Sequence, residues 1–294
     1  MKIGITMGFS HRTAPAFIAG AAKILDELGF YSLWVPEHVL LFSDYASRYP
    51  YSDNGRIPGD PEGVLDPFST LTYVAGHTRQ LRLATGVCLV PQRQPVYTAK
   101  MVADLDYLSA GRVDFGVGIG WLKEEFDSLQ MPFDQRAVRV REYLGAMRAL
   151  WQPGESAFSG ETVQIAPCHF NPKPVQQGTR FAGPPVFFGG ESAPALRRVA
   201  ELGNGWYGFN LLPEQVAAPV QQLHRLLEQN QRSRDELHIA VGSREPIRSA
   251  DQVVAYANTG IDQLVVALYG KDLATLEARA RALQSICSSA GLES

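Results

Sequence analysis

With 294 residues, 45% of them hydrophobic and 19% charged, the chain is long enough to bury a full core and has the composition of a soluble globular protein, which excludes a disordered or fibrous class. A net charge of -3 argues against a general attraction to nucleic acid or to an anionic membrane, so the expected partner is a small molecule. The three cysteines, Cys88, Cys168 and Cys287, are odd in number and outside any CxxC spacing, so neither a disulfide framework nor a metal site follows from them.

The first residues enter strand-like alternation at once, over Lys2 to Thr6, without an apolar h-region, and the apolar runs are too short to span a bilayer; a cytoplasmic protein is expected. Ala14 to Leu28 carries small and apolar residues at helical spacing and stops at Gly29, and Tyr31 to Val35 reads as a second strand. Strand, helix and strand in so short a span make a βαβ unit, which implies a parallel sheet. The pattern continues with a helix over Pro67 to Thr78, a strand over Leu81 to Leu89, a helix over Pro95 to Leu108 and a strand over Arg112 to Val117. Phe133 to Trp151 is a long helix carrying Arg136, Arg139, Arg141 and Arg148. Gly154 to Pro184 breaks the rhythm and reads as a hairpin-like insertion after the fourth βα unit. Strands at Pro185 to Phe188, Trp206 to Phe209, Leu237 to Val241 and Ile261 to Leu268 then alternate with helices at Ala193 to Leu202, Pro213 to Gln229, Ala250 to Thr259 and Asp272 to Ser288.

Eight strands alternating with eight helices, undivided by a linker, predict a single α/β domain over 1–294, a (β/α)8 TIM barrel, which typically uses about 250 residues plus insertions. An open doubly wound sheet is the second choice, but it calls for a GxGxxG turn after the first strand, where this chain has MGFSHR.

A barrel gathers its active site at the C-terminal strand ends. After the second strand come Glu37 and His38, then an unusually long connection to Pro67 with Asp44, Tyr45, Arg48, Tyr49, Tyr51 and Arg56, whose length and aromatics suit a lid over a planar ligand. After the third come Gly86 and Val87; after the fourth, beyond the alternating glycines Gly116, Gly118 and Gly120, comes Trp121. Glycines at a strand end admit close approach by something flat or anionic. After the fifth, Gly189-Gly190-Glu191-Ser192 runs directly into a helix, which is either a phosphate cradle or a plain capped helix.

Four segments together resemble the luciferase-like monooxygenase superfamily of flavin and deazaflavin enzymes: LDELGFYSLWVPEH from Leu25, ATGVCLVPQRQPVYTAK from Ala84, LDYLSAGRVDFGVGIGWLKEEF from Leu105 and GGESAPALRRVAELGNGW from Gly189. Length and the long second loop are most similar to the subgroup of F420-dependent oxidoreductases, although Asn204 stands where the family more often has Asp. The resemblance implies a (β/α)8 barrel holding coenzyme F420, or alternatively FMN, at its C-terminal mouth. It implies that Gly86 and Val87, with a non-proline cis peptide between them, back the cofactor ring, that Gly118, Gly120 and Trp121 flank it, and that Gly189, Gly190, Glu191 and Ser192 take its phosphate. Basic residues at the rim, Arg48, Arg56 and Arg93, would favour the anionic tail of F420. His38, with Glu37 beside it, is the expected acid-base residue for hydride transfer, the alternative being that His38 only binds the cofactor. An FMN-dependent monooxygenase, a non-redox acid-base barrel and a non-catalytic flavin-binding protein are the other functions weighed, and a homodimer is the expected assembly.

Overall fold

The computed structural model describes residues 1–58, 63–178 and 180–291. The part of the predicted lid at 59–62 and the insertion's residue 179 lie outside the described residues.

Eight parallel strands close on one another: β1 (Lys2–Thr6), β2 (Ser32–Val35), β3 (Arg82–Thr85), β5 (Val113–Gly118), β8 (Val186–Gly189), β9 (Gly205–Leu211), β10 (His238–Ser243) and β11 (Gln263–Ala267). Each pairs with the next, and closure comes from β1 lying against β11, with Ile3 opposite Leu264. Helices α1 (Pro15–Glu27), α2 (Pro67–Ala75), α3 (Pro95–Leu108), α5 (Arg136–Trp151), α6 (Ala193–Leu202), α7 (Pro213–Gln229), α8 (Ala250–Ala257) and α9 (Leu273–Ser289) alternate with these strands. Several open on proline, which is pre-set for a helix start and has no N–H to leave unsatisfied, and the Asp66, Ser192 and Ser249 side chains accept from the first turns of α2, α6 and α8. The main core lies between helices and strands; a smaller one fills the barrel, where Trp34 stacks on Tyr207 at 4.4 Å beside Phe187, Ala84, Ala240 and Val265.

The structure differs from the sequence reading in three places. The strand expected over Leu81 to Leu89 is interrupted: β3 ends at Thr85, β4 (Cys88–Leu89) resumes beside the end of β5, and the Gly86–Val87 peptide between them is cis. A helix absent from the predicted elements, α4 (Lys123–Ser128), follows β5. The insertion is a two-stranded hairpin of β6 (Ser156–Ser159) and β7 (Gln164–Cys168), longer than the alternating run Thr162 to Ile165 suggests.

Candidate active site

The C-terminal strand ends surround a cavity of about 620 Å³. Of the expected site residues, Val87, Gly118, Gly120, Trp121, Gly189, Gly190, Glu191 and Ser192 line it, and Pro50 to Asp53 of the loop after β2 roof it. Gly86, Glu37 and His38 do not: Gly86 packs on Trp34 inside the barrel, and the other two lie behind the cavity wall.

The floor explains the glycines of β5. A Cβ at Gly116 would lie 1.9 Å from the Thr85 carbonyl oxygen, and one at Gly118 would lie 2.6 Å from the Val87 side chain. These residues therefore make room first for the irregular β3–β4 segment of the chain itself, which lifts Val87 into the cavity floor. Gly120, at φ +78°, faces the Phe126 ring and turns the chain toward α4.

One wall is built on carboxylates, all of them occupied. Glu37 is not an acid-base partner of His38. Its carboxylate accepts from Arg93 Nε at 2.7 Å, from Arg93 Nη2 and from the Leu89 amide, and Arg93 also donates to Asp66 at 2.8 Å. With its side chain 2% exposed, Glu37 is a buried structural anion, and Arg93 is its counterion, so neither is available to a ligand. Beyond the end of β2 at Val35 the two neighbours part, Glu37 toward Arg93 and His38 toward Glu125. The partner of His38 is Glu125 of α4, fully buried, whose Oε2 lies 3.1 Å from His38 Nδ1 and accepts from Gln92 Nε2 at 2.9 Å, while Oε1 accepts the Val39 and Leu40 amides. Burial alone would raise the Glu125 pKa; the His38 contact and these hydrogen bonds outweigh it and lower the value, so the group is an anion. Next to it Glu124 accepts from the Ala46 and Ser47 amides and the Ser47 hydroxyl, and although desolvation opposes them these bonds hold its pKa at about 2. Two adjacent glutamates thus staple the loop to the barrel.

Trp121 caps this wall. It receives Tyr45 and Tyr49 edge-on at 5.6 and 5.2 Å, and its indole N–H donates to His38 Nε2 at 3.4 Å. Burial pushes the Tyr49 hydroxyl up to about 12, in keeping with a lid that excludes water.

The opposite wall is cationic and unpaired. Gly190 takes φ +101°, and a Cβ there would approach Ala195 to 3.2 Å, so the turn before α6 is one only glycine fits without strain. Trp206 fixes the Gly190 carbonyl from behind at 3.0 Å, leaving the amides at the start of α6 beside the cavity. Arg198, two turns along, is only 9% exposed, lines the cavity, and has no partner for its Nε. Burial, Arg141 and Arg136 together lower its pKa. Arg136 lines the same wall and donates to the Gly120 carbonyl, and Arg244 lines it from the end of β10. None of the three stands in an ion pair among the described residues. Of the rim arginines expected to serve an anionic tail, Arg93 is buried with Glu37, Arg56 pairs with Asp44 at 3.3 Å, and Arg48 packs on Gly55. The available cations are Arg136, Arg198 and Arg244 instead. Arg198 had a sequence signal: it falls on the buried stripe of α6 with Ala195, Leu196 and Val199, whereas its neighbour Arg197 is exposed.

Between the walls lies Glu191. Its Oε1 accepts the Phe209 amide at 2.9 Å, and Tyr51 of the roof is its other neighbour. Burial raises its pKa, the Phe209 and Tyr51 contacts opposing, and burial with the Glu191 charge raises that of Tyr51.

The luciferase-like monooxygenase family matches residues 1–285 of the chain. An uncharacterized protein of Mycobacterium tuberculosis is 36% identical over 190 residues, which are 64% of this chain and 66% of the relative, just under two thirds of its length. The monooxygenase RslO1 from Streptomyces bottropensis superposes over 99% of this chain and 100% of its own with a TM-score of 0.79 at 18% identity. The F420-dependent tetrahydromethanopterin reductase from Methanopyrus kandleri does so over 97% and 98% with a TM-score of 0.73 at 17% identity. At these identities the two structures speak for the fold alone.

Proposed function

Since this chain belongs to the luciferase-like monooxygenase family, we propose that it is an F420-dependent oxidoreductase that exchanges a hydride with a small organic substrate in the cavity at the mouth of its barrel. The observation that carries this is Arg198: a guanidinium so deeply buried, without a partner for its Nε, beside the amides of the Gly190 turn and the start of α6, is a site prepared for an anion. The residues fit the phosphate of such a cofactor. Gly190, Ser192 and Arg198 would hold it, with Arg136 beside them, and the raised Val87 and the face of Gly118 would back the ring. Arg244 makes three cations along one wall, more than a single phosphate monoester requires, which favours F420 with its further anionic groups over FMN. FMN with oxygen is the second reading, since Gly190, Ser192 and Arg198 alone would suffice for its single phosphate.

Bound there, F420 would supply a hydride to the substrate or take one from it. The chain's own part is to orient, enclose and hold the accompanying proton. The roof from Pro50 to Asp53 and the aromatic rings of Tyr51, Trp121 and Phe209 exclude water. Two carboxyls line the cavity, Asp53 exposed in the roof and Glu191 half-buried between the walls, and the raised pKa of Glu191 suits it to carry a proton at its free oxygen.

Titration of the protein with F420 and with FMN, followed by absorbance and fluorescence, tests this. F420 should bind more tightly, and Gly190→Val should weaken binding about tenfold or more, a larger effect than the loss of thermal stability that a side chain at φ +101° brings with it. Tighter binding of FMN would establish the second reading. Binding of neither would leave a barrel working by acid-base chemistry without a redox cofactor.

A further inference from the structure

His38 follows β2, where barrel enzymes carry catalytic groups, yet Trp121 stands between it and the cavity. We propose that Glu125, His38 and Trp121 form a hydrogen-bond relay in which His38 is a positioning residue that holds the indole of Trp121 as a cavity wall, rather than a group that exchanges protons with substrate. The inference rests on the function proposed above only for what the cavity holds.

The two ring nitrogens of His38 have partners that fix its tautomer. Glu125 is ionised and therefore accepts only, so Nδ1, 3.1 Å from Oε2, carries the hydrogen. The indole of Trp121 can only donate, so Nε2, 3.4 Å from Trp121 Nε1, carries the lone pair. His38 is thus the neutral Nδ1–H tautomer with both nitrogens engaged, its side chain 12% exposed. Glu125 is itself immobile, since the Val39 and Leu40 amides and Gln92 take the rest of its acceptor capacity. The rings of His38 and Trp121 meet edge to face at 5.8 Å and 78°, and Tyr45 and Tyr49 brace the indole from the lid. Because the one indole donor is spent on His38, Trp121 offers the cavity an apolar surface, suited to a flat ring and indifferent to hydrogen-bonding groups on it.

Nitrogen-15 NMR of the protein without ligand reads the relay directly. The spectrum should show His38 as the Nδ1–H tautomer, and the indole N–H resonance lost in Trp121→Phe should move in both His38→Ala and Glu125→Gln. His38→Gln should bring it back toward its original position, because the amide can donate to Glu125 and accept from Trp121 at once. With F420 and FMN as probes, His38→Ala and Trp121→Phe should each raise the dissociation constant of whichever cofactor binds by about 5- to 20-fold, and the double variant should be no worse than either alone, as coupled residues behave. An Nε2–H tautomer at His38, an indole resonance unmoved by His38→Ala, or fully additive losses would overturn the relay. The spectra decide it even if neither cofactor binds, a result that would sink the proposed function instead.

Discussion

The wall of the cavity formed by α4 and the loop after β2 uses its charges differently from the wall formed by β8, α6 and the start of α5. On the first, Glu37, Glu124 and Glu125 between them accept hydrogen bonds from an arginine, a glutamine and six backbone or hydroxyl donors of the loop and of β4, and Glu125 also contacts His38. On the second, Arg198 is about as deeply buried and lacks a partner for its Nε. Charges taken out of water are costly unless paired, so a wall that pairs all of them is built for its own rigidity, and a wall that leaves cations unpaired is built for something that arrives. The sorting by satisfaction, more than by proximity to the cavity, separates scaffold from ligand-binding residues.

The sharpest way to break that comparison is to remove one arginine from each wall. Arg93→Met strands Glu37 as an uncompensated buried anion and should cost about 3–5 kcal/mol of stability, read as a lower urea midpoint at unchanged slope. Arg198→Met removes a charge that has no counterion, so the ligand-free protein should be as stable as before or more so, while affinity for the anionic cofactor falls roughly 30-fold or more. If Arg198→Met destabilises the ligand-free protein as Arg93→Met does, the two walls do not differ in kind.

How much of this was legible beforehand follows the same division. The alternation of βα units could be read because each strand and helix carries its own period, and the insertion because it lacks one. The expectation of a cis peptide at Gly86–Val87 came from family resemblance alone, and the structure has it. The interruption of β3 was not readable from its own residues: its room is made by Gly116 and Gly118 on the neighbouring strand. The acid wall was misread for a related reason. Glu37 is adjacent to His38 in sequence, but the carboxylate that touches His38 belongs to Glu125, which lies 87 residues away on a six-residue helix too short to show a period. Gly189, Gly190, Glu191 and Ser192 could be singled out because glycines before a helix cap are a local pattern, whereas their cationic partner Arg136 was visible only as one of several arginines on a long helix.

Acid should loosen the paired wall through Glu124. Its native pKa of about 2 lies below the ordinary glutamate value near 4.5, so its contribution is fully present above that value and is lost as pH falls toward 2. Glu124→Gln should therefore be less stable than the unaltered protein by about 1 kcal/mol at neutral pH, the scale of partly exposed hydrogen bonds to an ionised group, and the gap should close between about pH 4.5 and 2. Urea denaturation across that range measures it. A gap independent of pH would mean that the amides of Ala46 and Ser47 need only an oxygen, not a charge.

Glu191 should show the opposite sign with the smallest effect. Its native pKa is raised, first by burial, so between the ordinary glutamate value and the native one the folded protein holds a proton that the unfolded chain has released. Folding stability therefore declines as pH rises through that window, and the deficit is complete above the native pKa. A glutamine keeps the oxygen that accepts from the Phe209 amide but cannot ionise. At neutral pH Glu191→Gln without ligand should melt about 1–3 °C higher than the unaltered protein, and below about pH 4, where both carry a neutral side chain, the two should coincide. Thermal melts in buffers from about pH 3 to 8 give the comparison. A variant that melts lower at neutral pH would mean that the Glu191 anion is stabilised in place, with one of the wall's arginines as its counterion after all. The cationic wall would then be partly self-satisfied, and the argument for an incoming anion would rest on Arg198 alone.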